Sequence, residues 1–388
     1  MRTVVKMNTK SKLTVGLVLD ESLDPPDGVQ QYVLRVGDWL TAQGHNVHYL
    51  VGETTRTDKQ HIHSLSRNVK VSYNGNRLSV PLPTSGTKLR RLLEQLQLDV
   101  LHVQTPYSPL LAGKLVRRTS AATAVVGTFH ILPYDRLAVV GSQLLARINH
   151  RTARRFDAMM AVSKPAAEFA QRVFGFNSTI VSNPFDYQAF CIPTPSKKQT
   201  DSVSIVFLGR LVERKGAFQL LRAVKSIIET QATTTKFHVT IAGKGSDYDK
   251  MQQYIIEHNL GATVSMPGFI TEEDKAVFLA GADIAVFPSI SGESFGISLL
   301  EAMAAARGVV LAGNNPGYTS VMEAHEQLID PLDTNEFGKT LTRWMDDTAS
   351  RQRAARRQKQ YVQQFDIGVI GPQVLAIYNK ALQTRRTS

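Results

Sequence analysis

Short β-branched runs alternate along the chain with longer stretches whose apolar residues recur at helical spacing, a pattern that predicts stacked β-α units around parallel sheets. In the first half Leu13–Leu19, Asn46–Val51, Val100–Gln104, Ala124–Thr128 and Ala158–Val162 read as strands. Helical spacing covers Gln30–Ala42, Lys88–Gln97, Leu110–Arg117 and Leu144–Arg155. Across Val69–Val80 alternating residues flank the step Asn74–Gly75, which predicts an inserted hairpin. Prolines mixed with polar residues over Asn183–Gln199 fit a linker, and the alternation then restarts. Strands are expected at Ser204–Leu208, His238–Ala242, Thr263–Met266, Ile284–Pro288 and Val309–Ala312. The domains so predicted are 1–185 and 186–365. A helix within 366–388, helical in pattern beyond Gly371–Pro372, needs a partner for its apolar face, and the first domain is one candidate. Doubly wound units of this kind take ligands in the crevice at the carboxyl ends of their strands.

A hydrophobic content of 43% over 388 residues agrees with two cores. The single cysteine, Cys191, allows no internal disulfide, and no Cys/His spacing suits a metal, so a reducing cytoplasm fits. The basic start, Met1–Lys12, leads into an apolar run too short for a signal peptide, and no apolar stretch is long enough to span a bilayer. Net charge is +12, and it is uneven: residues 1–185 carry 23 Lys/Arg against 12 Asp/Glu, and the rest 22 against 21. The first half therefore suits an anionic partner, with an acidic membrane surface and nucleic acid both open on charge alone.

Two segments carry chemistry. In "SIVFLGRLVERKG", Arg210 and Lys215 follow a strand directly, where fixed cations suit a diphosphate; an ordinary charged loop has the same composition. In "SISGESFGISLLEAMAAA", Gly292 and Gly296 frame a turn, and a helix opening near Phe295 offers free amides to anionic oxygens. Glu293 stands at its mouth and Glu301 eight residues on; both suit paired hydroxyls, while Glu293 also fits as a helix cap.

The pair "GRLVERKG" and "GESFGISLLEAMAA" resembles the donor-binding signature of family-four GT-B retaining glycosyltransferases. The resemblance implies an α/β fold of GT-B type, two Rossmann-like domains facing each other across a cleft. It also implies that Arg210 and Lys215 contact the donor diphosphate, that Glu293 lies beside the transferred sugar, that Glu301 holds the ribose, and that the amides of Phe295 and Gly296 assist at the phosphates. "DGVQQYVLRVGDWLTAQGHNVHYL" resembles the phosphatidylinositol mannosyltransferase branch, giving Gly28 a donor-phosphate role and Gln30 an acceptor contact; Asp27 stands where that branch has a second glycine. A lone histidine at a strand end is more often structural, but the Thr-Phe-His context of His130 matches the family histidine that bonds the donor sugar. "DVLHVQTP" matches at His102 and departs at Gln104 and Thr105, so no catalytic role is assigned there. Asn183–Pro184 and Arg307–Gly308 depart as well, as in a divergent member.

Lys88, Arg90 and Arg91 flank the leucines of "TKLRRLLEQLQL", a pattern that fits either a helix on an anionic membrane or one packed on the sheet. Arg147, Arg151, Arg154 and Arg155 are candidates for the same surface.

The expectation is a hexosyltransferase, peripheral at the inner face of the cell membrane, moving mannose from GDP-mannose to a phosphatidylinositol-like lipid without metal or other cofactor. The same-class alternative uses a UDP-hexose on diacylglycerol or a wall glycan. An inactive sugar-nucleotide sensor and a basic nucleic-acid-binding protein are the other readings, the last lacking any recognised motif.

Overall fold

The computed structural model describes residues 12–25, 27–73, 76–133, 136–193 and 202–387. The basic start before Lys12, the Asn74–Gly75 turn and the linker positions 194–199 lie outside the described residues. The chain forms two compact units. One runs to His130, resumes up to Ser182 and takes in the chain from Ile367; the other is Asn183–Asp366 with the segment that follows His130.

The first unit contains β1 (Thr14–Leu19), α1 (Gly28–Ala42), β2 (Asn46–Val51), β3 (Ile62–Ser64), β4 (Asn68–Tyr73), β5 (Asn76–Pro81), α2 (Gly86–Leu96), β6 (Val100–Val103), α3 (Leu111–Val116), β7 (Ala124–Phe129), α4 (Arg136–Ala153), β8 (Ala158–Ala161), α5 (Lys164–Phe174) and β9 (Thr179–Ile180). Its parallel sheet has the order β3-β2-β1-β6-β7-β8-β9, and β4 and β5 pair separately as an antiparallel hairpin. β6 and β7 are buried along their whole length, which accounts for their mostly apolar sequences; the polar exceptions, His102 and Thr128, bond each other.

The second unit contains α6 (Tyr187–Phe190), β10 (Val203–Leu208), α7 (Ala217–Glu229), β11 (Phe237–Ala242), α8 (Tyr248–Glu257), β12 (Val264–Gly268), α9 (Glu272–Ala280), β13 (Ile284–Phe287), α10 (Ile297–Ala305), β14 (Val309–Gly313), α11 (Pro316–Thr319), β15 (Leu328–Ile329), α12 (Thr334–Asp346) and α13 (Thr348–Tyr361). Its parallel sheet runs β12-β11-β10-β13-β14-β15. In both sheets the strand order reverses beside the first strand, between β1 and β6 and between β10 and β13. Loops leaving the carboxyl ends at such a point diverge and leave a crevice.

The last helix, α14 (Ile367–Thr387), returns to the first unit, where Ile370, Val374, Tyr378 and Ala381 join the core formed by β1, α1 and β7. It opens at Ile367, before the Gly371–Pro372 step, and carries Pro372 inside it. Gly371 lies against Trp39 of α1, where nothing larger fits.

Helix α4 begins at Arg136, well before the Leu144 start that its apolar spacing predicts. The reason is an inverted face. The helix buries Ser142, Asn149 and Thr152, and it docks through polar bonds: Asn149 Nδ2 donates to the Pro106 carbonyl at 3.0 Å, and Arg117 donates to Thr152 Oγ1 at 2.8 Å. Helix α2 is ordinary by comparison. Leu89 and Leu93 sink into the core, while Lys88, Arg90 and Arg91 face solvent.

A Cβ on Gly371 would fall 2.4–2.7 Å from ring carbons of Trp39. Gly371→Ala is therefore expected to destabilise the first unit by about 1–3 kcal/mol, measured as a lower denaturant midpoint of the tryptophan fluorescence transition.

Candidate active site

At the reversal in the second sheet, the β10 chain end continues through Arg210 into a single 3-10 turn, Glu213–Lys215. Gly216 closes that turn in the left-handed region, φ +74°, and a Cβ there would lie 1.8 Å from the Pro288 carbonyl oxygen. The loop after β10 thus presses directly on the loop after β13. The contact is stitched by Ile290 N–H donating to the Arg214 carbonyl at 2.8 Å.

Three donors converge on one oxygen. Arg214 Nη1 and Lys215 Nζ each lie 2.8 Å from Glu293 Oε1, and the Ser289 hydroxyl lies 2.9 Å from it. Among the described residues Oε2 of Glu293 accepts no hydrogen bond. Burial opposes ionisation of Glu293, but Lys215 and Arg214 outweigh it and hold the carboxyl below the ordinary range. Burial lowers Lys215, an effect that the Glu293 charge only partly offsets, while Arg214 and Arg210 push in the same direction as burial. Two cations against one carboxylate leave a local excess of positive charge. Arg210 is half-buried nearby and adds to it.

Gly292 and Gly296 both take positive φ, +73° and +135°. Helix α10 opens at Ile297, two residues later than the sequence suggests, with Gly296 as its N-cap and no side chain capping it. Glu293 is engaged by cations and not by the helix end. Phe295 packs its ring against Phe365 at 5.8 Å between centroids, so only its backbone remains for a ligand. Glu301 is buried in α10, where Lys275 Nζ reaches its Oε2 at 3.1 Å. Burial lowers the Lys275 pKa, but Glu301 and Glu272 together reverse that and raise it.

The first unit holds a second polar cluster. His130, at the end of β7, donates from Nε2 to Gln104 Oε1 at 2.8 Å and meets the Tyr32 ring edge-on at 4.9 Å. That bond leaves Nδ1 as the acceptor of the ring. His102 bridges Thr128 Oγ1 at 2.6 Å and Tyr378 Oη at 2.7 Å, tying α14 to β6 and β7. Gly28 starts α1, and Asp27 precedes it without capping it. Gln30 is buried, and its amide donates to Glu21 Oε2 and to the Ser22 carbonyl, both at 3.1 Å. It therefore fixes the loop that follows β1.

The structure brings Lys215 and Glu293 into contact, sets Arg210 beside them, and places Phe295 and Gly296 before the helix of Glu301. Sequence reasoning missed Arg214, Ser289 and Gln104. Arg214 sits one position before Lys215, and only the 3-10 turn reveals that both reach the same carboxylate. For Gln104 the departure from the family pattern was the available signal, and it was read as a loss.

The description Glycosyltransferase Family 4 matches residues 26–189, and Glycosyl transferases group 1 matches residues 192–361. A phosphatidyl-myo-inositol mannosyltransferase of Propionibacterium freudenreichii is 30% identical over 97% of both chains. That of Mycolicibacterium smegmatis is 26% identical over 94% of this chain and 93% of its own. Among solved folds, a glycosyltransferase from Rickettsia africae superposes with a TM-score of 0.75 at 16% identity, covering 96% of this chain and 99% of that one. Anabaena HepE in complex with UDP gives 0.74 at 18%, over 94% and 99%. Two Rossmann-like units with these matches define a GT-B glycosyltransferase, a hexose-transferring enzyme. The chain belongs to glycosyltransferase family 4 and is similar throughout its length to phosphatidyl-myo-inositol mannosyltransferases.

Burial holds the pKa of both His102 and His130 at about 3, below the ordinary 6.5. Above pH 6.5 folded and unfolded chains are both neutral at these sites; below it the unfolded chain takes up protons that the folded one refuses. Stability of the first unit is therefore expected to fall as pH drops from 6.5 towards 3, and His130→Gln to flatten that slope by one proton's share in denaturation series across this range.

Proposed function

We propose that this hexosyltransferase moves mannose from GDP-mannose, with retained configuration, to a phosphoinositide-type lipid at the inner membrane face. The lipid acceptor is supported by the names of the relatives, one of which matches over 97% of both chains. The transfer chemistry rests on one observation, the convergence of Arg214 and Lys215 on Glu293 Oε1 at the strand-order reversal.

In this reading Arg210, Lys215 and Arg214 bind the donor diphosphate and stabilise it as it leaves. The uncapped amides at Gly296 and beyond meet its oxygens. Glu293 turns Oε2 to a sugar hydroxyl while Oε1 stays saturated, and Glu301 accepts from the ribose in exchange for its bond to Lys275. From the first unit, His130 presents Nδ1 to the sugar, Gly28 lets phosphate approach, and Gln30 holds Glu21 at the acceptor. The departing diphosphate assists the acceptor hydroxyl on the same face, so no covalent sugar-enzyme intermediate forms. Orientation and fixed charge supply the acceleration.

Turnover of GDP-mannose with phosphatidylinositol vesicles, compared with UDP-glucose and UDP-galactose, tests the assignment. GDP-mannose is expected to give a mannosylated lipid of retained anomeric configuration; turnover only with a UDP-hexose overturns the donor. Lys215→Ala and Arg214→Ala are each expected to lower kcat by roughly 10²–10³, and Gln104→Leu, which removes the acceptor for His130 Nε2–H, to lower it by less while leaving donor affinity near wild type.

A further inference from the structure

Helix α4 wears its apolar residues on the outside. Leu137, Val140, Leu144 and Ile148 recur at spacings of three or four, which aligns them along one face, and they are 74%, 60%, 57% and 60% exposed. Single exposed aliphatics are common on proteins, whereas four in register on one helix form a stripe. On the side turned to the protein the fully buried residues are Ser142, Asn149 and Thr152, with Val139 and Leu145 half-buried beside them. Stability of the fold alone favours the reverse arrangement.

Charge identifies what covers the stripe. The helix contains no Asp or Glu, and Arg136, Arg147 and Arg151 are all exposed on or beside the apolar line. Arg147, His150 and Arg154 also line an open groove of about 750 Å³ between α4 and the end of α5, floored by Phe174 and Phe176. An apolar line edged by arginines, next to a basic groove, is complementary to a surface with acyl chains beneath anionic headgroups. A second copy of the chain is a poor fit, because a two-fold interface would set the same arginines against each other.

We propose that α4 is the bilayer-docking element of this enzyme: Leu137, Val140, Leu144 and Ile148 enter the interface, and Arg147, Arg151 and Arg154 bind anionic headgroups. The inference rests on the membrane reading above and names its surface. Helix α2 contributes charge only, since Leu89 and Leu93 are already buried in the core.

The test uses the full chain with vesicles of phosphatidylcholine and of phosphatidylcholine mixed with phosphatidylglycerol. Wild type is expected to sediment with the anionic vesicles. Leu144→Ser with Ile148→Ser should weaken that binding at least tenfold, and Arg147→Glu with Arg151→Glu should abolish the preference for anionic lipid. Unfolding temperature and the thermal shift by nucleotide-sugar should stay unchanged in both. Leu144→Trp should gain a blue-shifted emission on anionic vesicles.

If wild type ignores both vesicles, the membrane reading falls and the inference with it. If wild type binds but the α4 variants bind equally, or the emission of the Leu144→Trp variant does not move, the α4 assignment alone is overturned. A dimer in light scattering that becomes monomeric with Leu144→Ser and Ile148→Ser assigns the stripe to a second copy and overturns it too.

Discussion

The contact between Gly216 and the Pro288 carbonyl is the constraint on which the arrangement of the second unit's candidate site depends. No side chain fits at that position, and its φ of +74° is open chiefly to glycine. Because the two loops meet there, Arg214 and Lys215 from the loop after β10 and Glu293 from the loop after β13 reach bonding distance. The closeness also explains the Ser289 hydroxyl, which lies 2.9 Å from both Glu293 Oε1 and the Arg214 carbonyl. Two half-buried cations side by side repel each other. One carboxylate oxygen shared between them keeps the pair in place; in the proposed reaction that leaves little reorganisation for the transfer step.

The first unit solves a different problem with similar economy. His102 lies on β6 beside the reversal and His130 at the end of the neighbouring β7, and both are kept neutral by burial instead of being paired with acids. A neutral imidazole can be oriented by one hydrogen bond, and Gln104 does this for His130. His102 is used structurally: it joins β6, Thr128 of β7 and Tyr378 of the returning helix in one chain of hydrogen bonds. Helix α14 is thus tied through Tyr378 to His102, which links the last helix to the polar cluster.

Much of this was legible in the sequence because burial on both faces favours short, mostly apolar runs rich in β-branched residues. Asn46–Val51 coincides with its strand, and the donor segments around Arg210 and Glu293 stand directly after β10 and β13. Strands β3, β9 and β15 escaped because two or three residues at a sheet edge carry no periodic signal. Arg214 escaped because a 3-10 turn places successive residues differently from a helix or a strand. The start of α4 escaped for the opposite reason to noise: its apolar period was present, but it described the solvent face.

That inversion also separates two helices that look alike on paper. Both α2 and α4 combine leucines with arginines, and periodicity alone favours α2 as the interfacial one. Packing supports α4 for the apolar part of the proposed contact, while Lys88, Arg90 and Arg91 of α2 stay open to solvent. A leucine already in the core gains nothing by meeting lipid, so Leu89 and Leu93 cannot drive docking without unfolding the helix from its sheet. On α4 Leu137, Val140, Leu144 and Ile148 stand mostly open, and the polar bonds of Asn149 and Thr152 anchor the helix from behind. Under the docking proposal, Arg136, Arg147 and Arg151 supply part of the first half's excess charge on the helix whose contact with a membrane costs the fold least.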